Sequence, residues 1–327
     1  MNNEFLTVSN LEVDFLKDGK IINAILKVDF SLKEKEIIGL VGESGCGKSV
    51  SCMAMLGILG ETATTRGSVM YKNRNLLELS EPEIRKIRGK KISMIFQDPV
   101  ASLNPVKKIG TQLLEIIQTH SRCTKKAAKD KAVSLLEQVG IANPRDRLND
   151  YPHQLSGGLC QRVMIAMALA GDPEILIADE PTTALDVTVQ AQILALINKL
   201  NKDRGMATIY ITHDLGVVAE NVERVFVLYA GVVVEEASVE ILFKNPSHPY
   251  TAGLMKSLPK MTGETDKPLI PIEGTVPSPT NRPKGCFFRP RCPKSTEVCV
   301  KDQPELKEVG LSRGHRVACF FPEYTET

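Results

Sequence analysis

The spacing of apolar residues changes several times along this chain, and each change marks a structural boundary. Near the N-terminus, "LEVDFL" and "LKVDFSL" alternate apolar with polar positions, so that Val28, Phe30 and Leu32 share a face. That is the period of a half-buried strand. "KEIIGLVG" (35–42) is a continuous apolar run ending in glycine and predicts a buried strand. Residues 50–59 have helical character, "GSVMYKN" returns to strand, and "KISMIFQ" (91–97) predicts another buried strand. Between about Asp98 and Pro173 the β-branched runs give way to "IGTQLLEIIQ" and "KAAKDKAVSLLEQVG", amphipathic at helical spacing. This stretch predicts a helical insertion into an α/β core. The strand pattern resumes in "EILIADEP" (174–181), hydrophobic enough to be covered on both faces. A helix follows with Val189, Ile193, Leu196, Ile197 and Leu200 as its stripe and Gly205 as its stop. "ATIYIT" (207–212) predicts a strand, and "RVFVLYAGVVVEEA" predicts two around Gly231. Beyond about Asn245 prolines crowd in "NPSHPY", "PLIPIEG" and "PSPTNRP", which predicts an appendage with little regular structure.

Composition narrows the class. The chain has 327 residues, 43% of them apolar, enough for one large domain with an appendage. Forty-one Lys and Arg against thirty-nine Asp and Glu leave a formal charge of +2, which argues against a nucleic-acid partner. "MNNEFLTVSN" lacks the basic start and apolar block of a secretory signal. No apolar run approaches the roughly 20 residues of a membrane-spanning helix, and "VMIAMALA" (163–170) fits a buried helix. The expectation is a cytosolic chain that meets a membrane only through a partner. In that reducing setting the eight cysteines are not expected to form structural disulfides.

Candidate chemistry begins at "GESGCGKS". Gly42, Glu43, Ser44, Gly45, Cys46, Gly47, Lys48 and Ser49 match G-x-x-x-x-G-K-[ST], with a strand predicted before and a helix, opened by Val50, after. The glycines allow backbone N–H groups to wrap phosphate oxygens, and the helix start adds its positive dipole end. Lys48 would neutralise the β and γ phosphates and Ser49 would bind Mg²⁺. Cys46 reads as filler, not as a nucleophile. Downstream, four apolar residues lead into Asp179 and Glu180: Asp179 near the metal, Glu180 orienting the attacking water. Taken alone, that pair could equally be an acidic turn at a strand end. A further glycine motif, Ser156–Gly157–Gly158, could be no more than a Ser-capped helix start.

"GESGCGKS", "FQDP", "LSGG", "LIADEP", "ALD" and "ITHD" occur here in one order, and in that order the chain resembles ATP-binding cassette (ABC) proteins over roughly residues 5–245. The resemblance implies an α/β P-loop NTPase core at 1–97 and 173–245, including an N-terminal antiparallel β subdomain, with a helical subdomain at 98–172. It implies cassettes paired head to tail, so that Ser156, Gly157 and Gly158 grip the γ phosphate on the partner's P-loop. It further implies that Gln97 reaches Mg²⁺ and the water, that Asp186 lies in the loop crossing the dimer seam, and that His213 is the switch histidine. "TALD" departs from the family, which often has Ser first. The adenine-stacking aromatic has no obvious counterpart in "FLKDGKIINAI"; Phe15 is the candidate, and it could equally be core.

The tail, 246–327, carries Cys286, Cys292, Cys299 and Cys319 in a C-x₅-C-x₆-C-x₁₉-C pattern. Four thiolates in a segment with little core suit a soft metal centre. The C-x₂₋₄-C knuckles usual for zinc are missing, whereas iron–sulfur centres tolerate wider spacing; unligated thiols are the third reading. With its "NPSHPYT" entry the tail resembles the C-terminal extension of oligopeptide/dipeptide transporter ATPases, some of which look like [4Fe–4S] carriers. The resemblance as a whole implies an ATP-hydrolysing, energy-coupling subunit on the cytoplasmic face of the inner membrane. Its partners would be a second cassette, by family a paralogue, two integral membrane permeases and, indirectly, an extracytoplasmic peptide-binding protein. The alternative is a soluble cassette ATPase acting in translation or DNA maintenance. Translation-type members carry two cassettes per chain, and only one P-loop is visible here.

Overall fold

Alternating and continuous apolar runs fold as strands, and glycine or a polar cap ends most of them. The computed structural model describes residues 4–183, 185–257, 271–310 and 314–323. In chain order its elements are β1 (Glu4–Lys17), β2 (Lys20–Lys33), β3 (Ile37–Val41), α1 (Lys48–Met55), β4 (Ala63–Tyr71), β5 (Arg74–Asn75), α2 (Glu81–Ile84) and β6 (Ile92–Ile95). Then come α3 (Pro99–Ser102), α4 (Ile109–His120), α5 (Lys125–Gln138), α6 (Pro144–Arg147), α7 (Gly157–Leu169), β7 (Ile175–Asp179), α8 (Val187–Arg204) and β8 (Ala207–Thr212). The chain closes with α9 (Leu215–Asn221), β9 (Arg224–Tyr229), β10 (Val232–Ser238), α10 (Val239–Lys244), α11 (Pro249–Lys256), α12 (Glu297–Lys301), β11 (Lys307–Glu308) and β12 (Arg316–Val317). These fall into two units. Met1–Leu32, Ile37–Glu78 and Ile211–Thr327 form the first; Lys33–Glu36 and Leu79–Tyr210 form the second.

In the first unit β1 pairs antiparallel with β4, and β3 pairs in parallel with β9, which turns back antiparallel into β10. Val28, Phe30 and Leu32 are buried together on β2, as their alternation predicts. The two strands predicted around Gly231 are β9 and β10, and the turn between them needs positive φ at Ala230 and Gly231.

The tail carries more order than its sequence pattern predicts. Residues 316–317 of β12 add antiparallel to Glu235 and Glu236 of β10. Glu235, fully buried, accepts hydrogen bonds from the backbone N–H groups of Ser247 and His248 at 2.8 Å each, and lies 2.8 Å from His315 Nε2. Tyr250 and Phe288 are buried beside Tyr229, with ring centroids 4.7–5.5 Å apart. One carboxylate and three rings do what a periodic apolar face does elsewhere. Such contacts leave no period to read, so pattern analysis misses them.

In the second unit β6 and β7 pair in parallel, and every residue of both is buried, as their unbroken apolar runs require. The predicted helical insertion is present as α3 to α7. Asp98 caps α3 by accepting from Val100 N and Ala101 N, and Thr124 caps α5. On α8, Ile193, Ile197 and Leu200 are buried as predicted, but Leu194 is buried where Leu196 is only half covered. Gly205 ends that helix in the left-handed conformation.

Candidate nucleotide site

The P-loop runs from the end of β3 into α1 and is held from several directions by its own unit. Gly42 lies so close to β9 that a Cβ would strike the Leu228 carbonyl, and at φ 150° a side chain is disfavoured in any case. A Cβ on Gly47 would run into Ile25 Cδ1 of β2. The Gly231 N–H donates to the Cys46 carbonyl at 3.0 Å, tying the loop to the β9–β10 turn. Lys48, buried, donates from Nζ to the carbonyls of Gly42 (2.7 Å) and Glu43 (3.1 Å). Ser44 and Gly45 are exposed at the crest, and Ser49 and Val50 are half buried in the first turn of α1. Exposed backbone ahead of a helix start, with a lysine folded beneath it, is a receptacle for a polyphosphate. Burial pushes the Cys46 thiol up, which keeps it from acting as a thiolate and suits its reading as filler.

Two features of this loop escape sequence reading. Glu43 accepts a bidentate pair from Arg291, NH1 at 2.6 Å and NH2 at 3.1 Å, and its N–H donates to the Tyr250 hydroxyl at 2.9 Å. Both partners lie more than two hundred residues away, and neither belongs to a local motif. Phe15 is half buried on β1, opposite Ala63 of β4. Ile25 of β2 fills the space where a Cβ on Gly47 would stand. His213, also in this unit, is exposed between β8 and α9. The Asp214 side chain caps α9 immediately after it.

In the second unit the acidic pair stands at the end of β7. Asp179 is buried. Glu180 takes φ 42°, a left-handed conformation uncommon for a glutamate. Its Oε2 accepts from Gln97 Nε2 at 2.8 Å and from Thr183 Oγ1 at 2.9 Å. Strain at a residue whose carboxylate is held by two neutral donors is typical of a group positioned for chemistry. Thr183 is a site residue that sequence reading missed, although it lies three positions beyond Glu180.

The signature residues open α7. Ser156 is the N-cap, its hydroxyl accepting from Leu159 N at 3.4 Å, and Ser156 and Gly157 are exposed. A Cβ on Gly158 would press on Val189 Cγ1 of α8 at 3.0 Å, so this glycine also permits close helix packing. Asp186 caps α8 by accepting from Val189 N at 2.9 Å. Ala184, in the loop before it, lies outside the described residues.

The four tail cysteines line one small pocket with His248 and Phe288. Burial pushes the thiols of Cys286, Cys292 and Cys319 up, that of Cys319 to about 11. Among the described residues no group of His, Cys, Asp or Glu is gathered as a single metal ion requires. Four cysteine sulfurs around one pocket are the donor type that iron–sulfur groups take. Among the described residues no helix is long and apolar enough to cross a membrane.

Comparison with known proteins bears on these features. Residues 25–183 match the family model described as ABC transporter, and residues 234–299 match that of the oligopeptide/dipeptide transporter C-terminal region. A probable peptide ABC transporter ATP-binding protein of Sinorhizobium fredii is 51% identical over 96% of this chain and 94% of its own. The oligopeptide transport ATP-binding protein AppD of Bacillus subtilis is 46% identical over 97% of each chain. The dipeptide transport ATP-binding protein DppD of Haemophilus influenzae is 45% identical over 97% and 95%. A solved dimeric, post-hydrolysis state of the ATP-binding cassette MJ0796, bound to ADP and phosphate, superposes with a TM-score of 0.64 at 30% identity, covering 72% of this chain and 98% of that one. The alternative of a translation or DNA-maintenance ATPase finds no support among these relatives. Close to half of the residues are shared along almost the whole length, and the chain therefore belongs to the ABC transporter family, within the group that carries the oligopeptide/dipeptide transporter C-terminal region.

Proposed function

We propose that this protein is the ATP-hydrolysing subunit that powers a peptide importer. The observation that carries the reading is the Glu180 carboxylate, backed by Gln97 and Thr183, in a chain whose P-loop is intact and whose relatives are named for peptide transport. ATP binds through residues 42–50, with Lys48 leaving its loop carbonyls for the β and γ phosphates. Ser49, Gln97 and Asp179 would hold Mg²⁺, which when bound would supply charge neutralisation at the phosphates. Glu180 takes the proton of the attacking water while Gln97 and Thr183 fix its orientation. His213 contacts the γ phosphate, and Phe15 serves as the adenine-stacking aromatic.

Ser156, Gly157 and Gly158 contact the γ phosphate held by a second cassette, with Asp186 at the seam. The exposure of Ser156 and Gly157 supports this reading, as does the dimeric state of the solved relative. The second cassette is a paralogue, bound with two permease subunits at the cytoplasmic face of the inner membrane. An extracytoplasmic binding protein delivers di- or oligopeptide to that assembly. The domains follow the boundaries at 98–172 and 246–327, and Cys286, Cys292, Cys299 and Cys319 hold a [4Fe–4S] cluster of structural role. Zinc fits less well, because the C-x₂₋₄-C knuckles usual for zinc are missing from the tail.

The decisive experiment isolates the intact complex anaerobically. Two membrane subunits and a second cassette should copurify, with ATPase activity stimulated by a peptide-loaded binding protein. Copurification with ribosomes or DNA instead would overturn the reading. Iron and sulfide at about four each per chain would support the cluster; stoichiometric zinc would refute it.

A further inference from the structure

We propose that Arg291 and Tyr250, both in the C-terminal region, are positioning residues for nucleotide binding that act by clamping Glu43 of the P-loop. The proposal rests on the reading of residues 42–50 as the ATP-binding loop.

Every polar group of Glu43 has a partner. Its carboxylate takes the Arg291 fork at 2.6 and 3.1 Å, and its N–H donates to the Tyr250 hydroxyl at 2.9 Å. Its carbonyl accepts from Lys48 Nζ at 3.1 Å and from Cys46 N at 3.3 Å. The residue that the C-terminal region grips is thus one of the two, with Gly42, whose carbonyls hold Lys48. Glu43 offers no N–H to a phosphate in this arrangement. Its contribution is to shape the loop that does.

The clamp is rigid on its far side. The Arg291 side chain is 4% exposed. Beyond Glu43, its Nε donates to the Glu273 carbonyl at 2.9 Å and NH2 to that of Ile272 at 3.2 Å, while the guanidinium stands 5.9 Å from the Tyr229 ring centroid. Tyr250 is fully buried, packed against the rings of both Tyr229 and Phe288. A planar, multiply bonded guanidinium fixes orientation as well as charge, which a lysine in its place could not do. Arg291 directly precedes Cys292. The cysteine pocket is therefore one peptide bond away from a residue that holds the P-loop.

The bland alternative is that the pair only glues the tail to the core. The two readings differ in what moves. If the clamp positions the P-loop, Arg291→Lys and Arg291→Met in the full chain raise the KM for ATP and the Kd for a fluorescent ATP analogue with Mg²⁺ by roughly 5- to 20-fold. In the assembled transporter kcat then changes by less than about twofold, as for a group acting on binding alone. Tyr250→Phe, which keeps the ring and the fold, gives a smaller rise of about two- to fivefold. Glu43→Gln and Arg291→Met act through one contact, so the double variant is no worse than either single.

Wild-type KM and Kd in Arg291→Lys and Tyr250→Phe, with only the melting temperature lowered, would overturn the proposal. So would effects of Glu43→Gln and Arg291→Met that multiply. If Arg291→Met does not fold, the other two tail variants decide. Lys48→Ala separates the two levels: wild-type nucleotide affinity in that variant sinks the P-loop reading itself. Lost affinity there, with unaltered Arg291 and Tyr250 variants, sinks the clamp alone.

Discussion

At residues 42–49 a glycine loop opens a helix and is pinned by β2, by β9, by the β9–β10 turn and by two side chains of the tail. At residues 156–158 another glycine loop opens a helix, but Ser156 caps its own α7 and both Ser156 and Gly157 face outward. Both present backbone N–H groups and a helix start, the ingredients of an anion site. Only the first is a finished receptacle, with a buried lysine beneath it. The difference teaches that two helix starts of similar sequence can sit in different surroundings, one framed by its own unit above a buried lysine and one that caps itself and faces outward.

The contrast can be broken most severely at Glu180, the residue proposed to serve the hydrolytic step. Glu180→Gln should lower ATP turnover by about 10³-fold while the Kd for nucleotide stays within about twofold, since a general base contributes in the transition state. Unaltered turnover would remove Glu180 from that role. Next in size, Ser156→Arg should cut turnover of the assembled transporter by about 10²-fold through loss of a preorganised donor. Nucleotide binding to the isolated chain should survive; if it is lost as well, the outward-facing half-site serves its own P-loop and the crossed arrangement is wrong.

Thr183→Val should cost about tenfold in kcat by freeing one side of the Glu180 carboxylate. A loss confined to KM would mean that Thr183 does not orient the base. Asp186→Ala should be the mildest in stability, about 1 kcal/mol from the lost helix cap, read as a small drop in melting temperature. A much larger fall would show that the loop before α8 carries weight beyond its cap.

Much of the molecule was legible from local pattern. Unbroken apolar runs at 37–41, 92–95 and 175–179 are buried strands, and the amphipathic stretch after Asp98 is helical. The glycine loop at 42–49, the acidic pair and Ser156 could be nominated because phosphate geometry and turn chemistry act within a few residues. The convergence of Gln97 and Thr183 on one oxygen of Glu180 was only half visible. Gln97 could be nominated from a motif, but the hydrogen bond depends on how β6 and β7 lie side by side. The ordered tail was the largest miss. Glu235, Tyr250, Phe288 and Arg291 are dispersed over nearly sixty positions, and no period links them.

By itself the chain determined its strand and insertion pattern, its phosphate loop and its acidic pair, because those depend on residues a few positions apart and on the periods of helix and sheet. The tertiary structure alone decided that Arg291 and Tyr250 meet Glu43 and that β12 joins β10. The reason is physical. A buried ion pair or a ring cluster takes its partners from whatever elements the folded backbone brings together, and that selection happens in space, leaving no regular mark along the chain.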